Sequence, residues 1–311
     1  MAITAASKTS DFSGFLKPEM SSPIFEQARR QSVVQQLARQ VPLGINGQDI
    51  PVVTSKASAE WVAEAGKKPA SKGALGLKTI TPKKIAGIVV VSAEVVRANP
   101  GNYIQLVRDD LAEAFAMAFD AAALHGVNTP FGSTNHLDAT TKAVALGTSA
   151  ASAGSIHADV NAGLRLLVNG GKKLTGFAFD DIVEPDFNGA VDTSGRPLYI
   201  ESPLEDNAPA ARRGRLLSRP TAMSAGVAAA TPGTASTAYA VGYGGDWSQA
   251  AWGVVGGITY DVSTETAVTI NGTLTSLWEH NLVAIRAEAE YGWLVNDTES
   301  FVKYTKSTPA A

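Results

Sequence analysis

Residues 55–92 read SKASAEWVAEAGKKPASKGALGLKTITPKKIAGIVVVS, and the fold turns on this stretch. From Ser55 to Lys84 apolar side chains are sparse (Trp61, Val62, Leu75, Leu77, Ile80), while Lys67, Lys68, Pro69, Lys72, Gly73, Gly76 and Pro82 accumulate. The alternation from Leu75 to Thr81 predicts a strand with one wet face. Two such strands cannot build a core of their own, so the segment reads as a long two-stranded excursion between core strands. A loop of roughly 30 residues inside a compact domain is unusual and generally functional. Trp61 on that excursion is useful only when something covers it, which points to a partner contact.

Core texture resumes at once. Ile85–Val91 is β-branched and predicts a buried strand, and Ser92 is placed to cap a short helix through Arg97. Asn99-Pro100 is a second start signal. The longest predicted helix follows, Tyr103 to Leu124, about 33 Å at 1.5 Å per residue. Ile104, Val107, Leu111, Ala114, Phe115, Ala118 and Ala122 make its apolar face, and Gly126 ends it.

Upstream, residues 1–22 are rich in Ser, Thr, Ala and Lys and read as a flexible arm. Pro23 to Gln40 reads as helix, and Val41 to Val53 as a strand pair broken by Gly44-Ile45-Asn46-Gly47. Downstream come an Ala/Thr/Ser-rich loop or boundary (133–155), a helix (156–169), a strand (174–179) and a basic loop from Arg212 to Arg219. Strands are expected at 239–243, 252–262 and 268–270. Leu277 to Glu290 reads as a long half-exposed strand, Val283, Ile285, Ala287 and Ala289 alternating against Ala284, Arg286, Glu288 and Glu290. No internal repeat occurs.

The chain has 311 residues, 45% of them apolar, enough to bury a sizeable core. Charged residues are only 18%, against roughly 25% in ordinary soluble domains, which fits a surface hidden by assembly. Lys and Arg number 26 against 29 Asp and Glu, a net charge of -3. That argues against dedicated nucleic-acid binding, though not against enclosing a nucleic acid without gripping it. The absence of cysteine excludes disulfides, thiolate catalysis and cysteine metal sites. No run of 18 apolar residues occurs, so no membrane span is expected.

Candidate chemistry is thin. Ser224 in Ala222-Met223-Ser224-Ala225-Gly226, followed by Asp261 and His280, is a near miss to a hydrolase nucleophile elbow. Arg219-Pro220 before it and Thr231-Pro232-Gly233 after it spoil the strand–turn–helix such an elbow needs, so an ordinary Ala/Ser loop is the better reading. Asp180, Asp181, Glu184 and Asp186 lack calcium-loop spacing and read as acidic turn residues. The four histidines are too scattered for a metal site. Arg212, Arg213, Arg215 and Arg219 form the only dense basic cluster, read as a solvated or interface loop. No enzymatic activity and no cofactor or metal are expected.

Taken in order, these parts resemble a family. The N-terminal arm, the Lys/Gly-rich hairpin with Glu64-Ala65-Gly66-Lys67-Lys68-Pro69, and Ile85–Ser92 leading to a long helix closed by Gly126 are similar to the HK97-like major capsid proteins of tailed bacteriophages. Gly195-Arg196-Pro197-Leu198, Gly245-Asp246-Trp247-Ser248, Asn281–Glu288 and Phe301-Val302-Lys303 resemble later motifs of that family. The resemblance implies an α+β, HK97-like capsid fold with a peripheral domain (long spine helix plus long β-strands), an axial domain, an extended β-hairpin loop and an N-terminal arm. It divides the chain into an arm and helix (1–45), the extended loop with flanking strands (46–88), a peripheral domain with the spine helix (89–135), an axial domain (136–275) and a return strand of the peripheral domain (276–311).

The implied function is a major capsid protein that self-assembles into hexamers and pentamers of an icosahedral shell around double-stranded DNA, with no membrane and no sequence-specific DNA contact. The subunit would be assembled in the host cytoplasm and found in the virion. An encapsulin-like nanocompartment shell is the alternative, and a serine hydrolase using Ser224, Asp261 and His280 a remote one. The expected subunit interface on the loop is Trp61, Lys67, Lys68 and Leu77. Implied partners are the chain itself, a portal protein, decoration proteins and a scaffolding protein. The scaffold is expected as a separate chain, or not at all, because the loop begins so close to Met1. Some relatives cross-link their subunits, and Lys68, Asn281 and Glu288 stand where those carry the amine, the acceptor amide and the catalytic carboxylate. A plain-strand reading of Asn281 and Glu288 is favoured.

Overall fold

The computed structural model describes residues 32–64, 66–68, 70–99, 102–149, 155–190, 199–201, 212–229 and 238–306. The arm at 1–22, the start of the helix expected from Pro23 and the Gly195–Leu198 loop lie outside the described residues.

The chain enters through α1 (Val33–Leu37), a short strand β1 (Arg39–Gln40), and the hairpin β2 (Gln48–Ser55) and β3 (Ala74–Ile80). It then runs through β4 (Lys83–Ser92), α2 (Ala93–Ala98) and α3 (Tyr103–Asp120) to β5 (Ala143–Ala145), α4 (Ser155–Asn169), β6 (Gly176–Phe179) and α5 (Glu184–Asn188). The strands β7 (Tyr199–Glu201), β8 (Arg212–Leu216), β9 (Arg219–Met223), β10 (Tyr239–Gly245), β11 (Ala250–Ser263), β12 (Ala267–Ile270), β13 (Thr273–Ser276), β14 (Leu282–Val295) and β15 (Phe301–Lys306) complete it.

Two larger sheets organise these elements. One has the order β1-β11-β14-β4, and its backbone is the antiparallel ladder from Leu282–Ser92 to Tyr291–Lys83. The alternation in β14 puts Ile285, Ala287, Ala289, Tyr291, Trp293 and Val295 on a buried face. Helix α3 lies over it through Val107, Leu111, Phe115 and Phe119, one i, i+4 ridge. Gly87 lets the helix approach: a Cβ there would stand 3.0 Å from Leu111 Cδ2. The ridge is narrower than the expected apolar face. Ala114 and Ala118 remain exposed, while Phe119, not anticipated, joins the core.

The second sheet, β5-β15-β10-β6-β9-β8-β7, centres on β10, whose seven residues are all buried. Helix α4 packs against it, and Tyr304 reaches under the helix to donate to the Val160 carbonyl at 3.1 Å. Gly163 makes room, since a Cβ would fall 2.2 Å from the Tyr304 hydroxyl oxygen. A buried cluster containing Ala178, Tyr243 and Phe301 of this sheet together with Ile285 and Trp293 of the other joins the two.

Several boundaries differ from the sequence reading. Ser92 does cap α2, accepting from Val95 N–H at 3.4 Å. Asn99, left-handed at φ 37°, closes α2 and reaches forward to the Ile104 N–H at 3.2 Å, so one residue serves two helix ends. The long helix changes to a π turn over Ala121–His125 before Gly126 closes it at φ 69°. Of the strand pair expected over 41–53, only the second strand forms. The strand expected from Leu277 starts after Asn281 and runs on to Val295. Arg212–Arg219, read as a loop, is the β8–β9 hairpin. The two sheets also cross the division at residue 275: β11 pairs with β14, and β15 pairs with β10.

Candidate subunit interface

The β2–β3 hairpin is rooted at one end and bare elsewhere. At the root Ile80 is fully buried, and a Cβ on Gly292 of β14 would stand 2.4 Å from its Cγ2, so that glycine is the seat for Ile80. Lys78 Nζ donates to the Asn296 carbonyl at 2.6 Å. The ladder runs from Gln48–Ile80 out to Ser55–Ala74. Past it, Ser55 Oγ donates to the Lys72 carbonyl at 3.3 Å, and Ser71 Oγ both donates to the Ser58 carbonyl and accepts its N–H.

The burial pattern of β3 alternates: Ala74, Gly76 and Lys78 are half-buried and Ile80 buried on one face, and the face of Leu75, Leu77 and Thr79 is the bare one. Leu75 is 74% and Leu77 71% exposed, Val53 58%, and Trp61 at the tip is wholly bare. Lys67 and Lys68 share a concavity of about 640 Å³ with Glu60, Trp61 and Val62. A strand pair carrying this much uncovered apolar surface is stable only when a partner covers it.

Further bare apolar side chains escaped the sequence reading: Val262 at the end of β11, Leu274 on β13 and Trp278 in the next turn are exposed by 57%, 72% and 77%. The signal was available: Trp278 follows a small hairpin turned by Asn271-Gly272, both at positive φ, although its neighbour Leu277 is fully buried.

The residues matched to a cross-link are apart in the subunit. Asn281 is left-handed at φ 51° and its amide donates to the Glu94 carboxylate. Glu288 lies seven positions further on, within β14, roughly 23 Å away at 3.3 Å per residue. Lys84 Nζ at 2.8 Å, with Arg286 beside it, holds the Glu288 carboxyl below the usual carboxylate range.

The hydrolase residues are not joined. Ser224 is buried at the end of β9 and its Oγ donates to the neighbouring Ala225 carbonyl at 3.4 Å. Asp261 binds Arg286 at 2.8 Å on the other sheet, and His280 is exposed in the turn before β14. Asp180 is a structural carboxylate: it accepts from Ile182 N–H at 3.1 Å and from Gly226 and Ala228 N–H at 2.9 Å each. Asp186 pairs with Lys306 at 2.5 Å. Among the described residues no group of three or more histidine, aspartate or glutamate side chains is arranged to hold a metal, and no helix is long and apolar enough to cross a membrane.

Two buried polar sites went unread in the sequence. Asp120, at the end of α3, accepts from Ser32 Oγ at 2.5 Å and from Val33 N–H at 2.8 Å, which fastens α1 to the long helix. Burial pushes its pKa up to about 7, against the pull of those two hydrogen bonds. His125 in the π turn bridges the Val227 carbonyl at 2.9 Å and the Tyr243 hydroxyl at 2.8 Å, and burial lowers its pKa. Neither was marked by a motif, because each depends on partners about 90 or more positions away.

Comparison with known proteins agrees with this geometry. The phage capsid family profile matches residues 13–306, so the chain belongs to the phage capsid family. It is 46% identical to the probable major capsid protein gp17 of Mycobacterium phage D29, over 94% of this chain and 91% of that one. Against the corresponding protein of Mycobacterium phage L5 the identity is 47%, covering 94% and 90%. A solved structure from Mycobacterium phage Cain superposes with a TM-score of 0.73 at 18% identity, over 98% of this chain and all of that one. One from Mycobacterium phage Ogopogo gives 0.71 at 23% identity, over 97% of this chain and all of that one. The fold is the HK97-like capsid fold, and the chain is a shell-forming structural protein of a phage capsid.

Proposed function

We propose that this subunit builds hexamers and pentamers of an icosahedral shell around double-stranded DNA, and that the β2–β3 hairpin is the arm by which each copy holds the next. The four-stranded sheet with α3 is the peripheral domain, and the seven-stranded sheet with α4 the axial domain. Trp61, Lys67, Lys68 and Leu77 are the contact residues of the arm. The observation that carries this reading is the row of bare apolar side chains on a two-stranded element anchored, among the described residues, at its root. Scaffolding, portal and decoration proteins are the further partners such a shell takes, and assembly belongs to the host cytoplasm. No catalytic step is assigned.

Electron microscopy and sedimentation of the expressed chain test this. Closed shells are expected, and a discrete small oligomer at high concentration would contradict it. The shells are held without covalent links. Denaturing gels should show a single band at the 32.3 kDa chain mass. A ladder abolished by Lys68→Ala or Asn281→Ala would overturn that part.

A further inference from the structure

The long helix ends in a hydrogen-bonded chain that leads into the seven-stranded sheet. His125 closes the π turn at the helix end, a turn type that recurs at functional positions. Its Nε2 stands 2.9 Å from the Val227 carbonyl, and its Nδ1 lies 2.8 Å from the Tyr243 hydroxyl on β10. Next to that hydroxyl, at 3.4 Å, is Oδ1 of Asp138, in the single turn Leu137–Ala139. Lys303 of β15 pairs with Asp138 in turn, 3.3 Å from Oδ1 and donating to the Asp138 carbonyl at 3.1 Å. The charged and titratable groups that face the His125 ring are Asp138 and His136 from the segment after the helix, Asp180 just past β6 and Tyr243 from β10.

The protons on this chain have two consistent settings. A carbonyl can only accept, so Nε2 carries a proton and, in the neutral ring, Nδ1 is an acceptor. Tyr243 then donates to Nδ1. Burial, reinforced by Asp138, pushes the Tyr243 phenol up, so it keeps its one proton and has none left for Asp138. Their contact at 3.4 Å is accordingly beyond the usual length of a hydroxyl hydrogen bond. A proton on His125 reverses the polarity: Nδ1–H donates to the Tyr243 oxygen, and the freed hydroxyl proton points to Asp138. The chain then runs unbroken from Val227 through His125 and Tyr243 to Asp138 and Lys303.

We propose that His125, Tyr243 and Asp138 form a proton-operated latch between the long helix and the seven-stranded sheet, in which one proton on His125 turns the Tyr243 hydroxyl from the helix to Asp138. The latch lies within one subunit and does not depend on the contacts proposed for the arm. Opposed forces set it. Burial disfavours the imidazolium and holds His125 below its ordinary 6.5, while Asp138 and Asp180 favour the charged ring. The unfolded chain takes up this proton near 6.5 and the folded chain only at lower pH. Stability contributed by His125 is therefore full above 6.5 and falls as pH drops toward the folded value.

Deuterium uptake at the histidine ring carbon, read by mass spectrometry on the full chain, follows the titration of each histidine in free or assembled subunits. His125 is expected to titrate below 6.5. Asp138→Asn should lower its midpoint further, by about half a pH unit or more, the coupling usual within one hydrogen-bonded network. Tyr243→Phe should lower it too, because the imidazolium loses its acceptor. The two variants together discriminate: with Tyr243→Phe already made, Asp138→Asn should lose at least about half of its effect. An effect of the same size with and without Tyr243 would mean that the charge acts through space, and would overturn the latch, as would a His125 that titrates at or above 6.5. If Tyr243→Phe does not fold, His125→Gln carries the test, since an amide keeps a donor for Val227 and an acceptor for Tyr243 and so fixes the neutral setting. In urea unfolding the parent should lose more stability than His125→Gln as pH falls from 6.5 to about 5. Asp120 is common to both chains and cancels, so parallel curves would overturn the proposal.

Discussion

The strand β10 and the strand β3 are both seven residues long, and they show two ways of using a β-strand. Every residue of β10 is buried between β6 and β15, with Tyr243 hydrogen-bonded to His125 and the chain enclosed by Phe177, Phe179 and Tyr304. In β3 only Ile80 is buried, and Leu75 and Leu77 face water. The body of the subunit gains its stability inside one chain. The arm holds apolar surface in reserve for another chain. Charges follow the same division: the arm carries Lys67 and Lys68 in solvent, whereas Asp120 is shut inside the body at the foot of α3.

The largest separation between the two regions is expected from truncating buried rings. Phe179 is fully buried, 4.9 Å from Phe187 and 5.3 Å from Tyr304 between centroids. Phe179→Ala should destabilise the unassembled subunit by about 3–5 kcal/mol in urea unfolding. A loss under 1 kcal/mol would show that the seven-stranded sheet is not the stabilising core.

A comparable effect is expected from pH. Asp120 has a folded pKa of about 7 against 3.8 as the ordinary value. The folded chain thus keeps a proton that the unfolded chain releases, and stability contributed by this group falls as pH rises from about 4 to about 7, then levels off. The full span is on the order of 4 kcal/mol. Asp120→Asn keeps an oxygen for the Val33 N–H and should flatten that slope. Parallel slopes for variant and parent would contradict the buried, titrating carboxylate.

The smallest effect on folding is expected in the arm. Leu77→Ala should change subunit stability by less than about 0.5 kcal/mol, as exposed substitutions do, while impairing assembly. A large loss of subunit stability would mean that Leu77 packs within its own chain.

What was legible in the sequence follows this contrast. The arm was readable because its message is local: alternation without a second apolar face, lysines, glycines and one misplaced tryptophan. Ile85–Val91, the Ser92 cap and the Gly126 stop were readable for the same reason. Sheet membership was not, since β11 and β15 each pair with strands chosen by the path of the whole chain, and no local pattern marks the choice. The Arg-rich β8–β9 hairpin was hidden by its charge, because its pairing depends on β6 beside it. The buried end of the arm was also missed. Ile80 looks in sequence like one more residue of a wet strand, and only Gly292 opposite explains why it is the anchor.

The central claim is that the arm joins subunits and does not hold its own subunit together. Val53 and Leu75 are ladder partners, so a short Gly/Ser turn can replace residues 54–74 while leaving Lys78 and Ile80 at the root. Shortening the loop alters closure entropy by only about 0.6 kcal/mol per twofold change in length. Circular dichroism and sedimentation velocity on this variant read both halves of the claim together. The account predicts a folded, cooperatively melting subunit that forms no closed shells. Shells of normal size, or an unfolded chain, would contradict it.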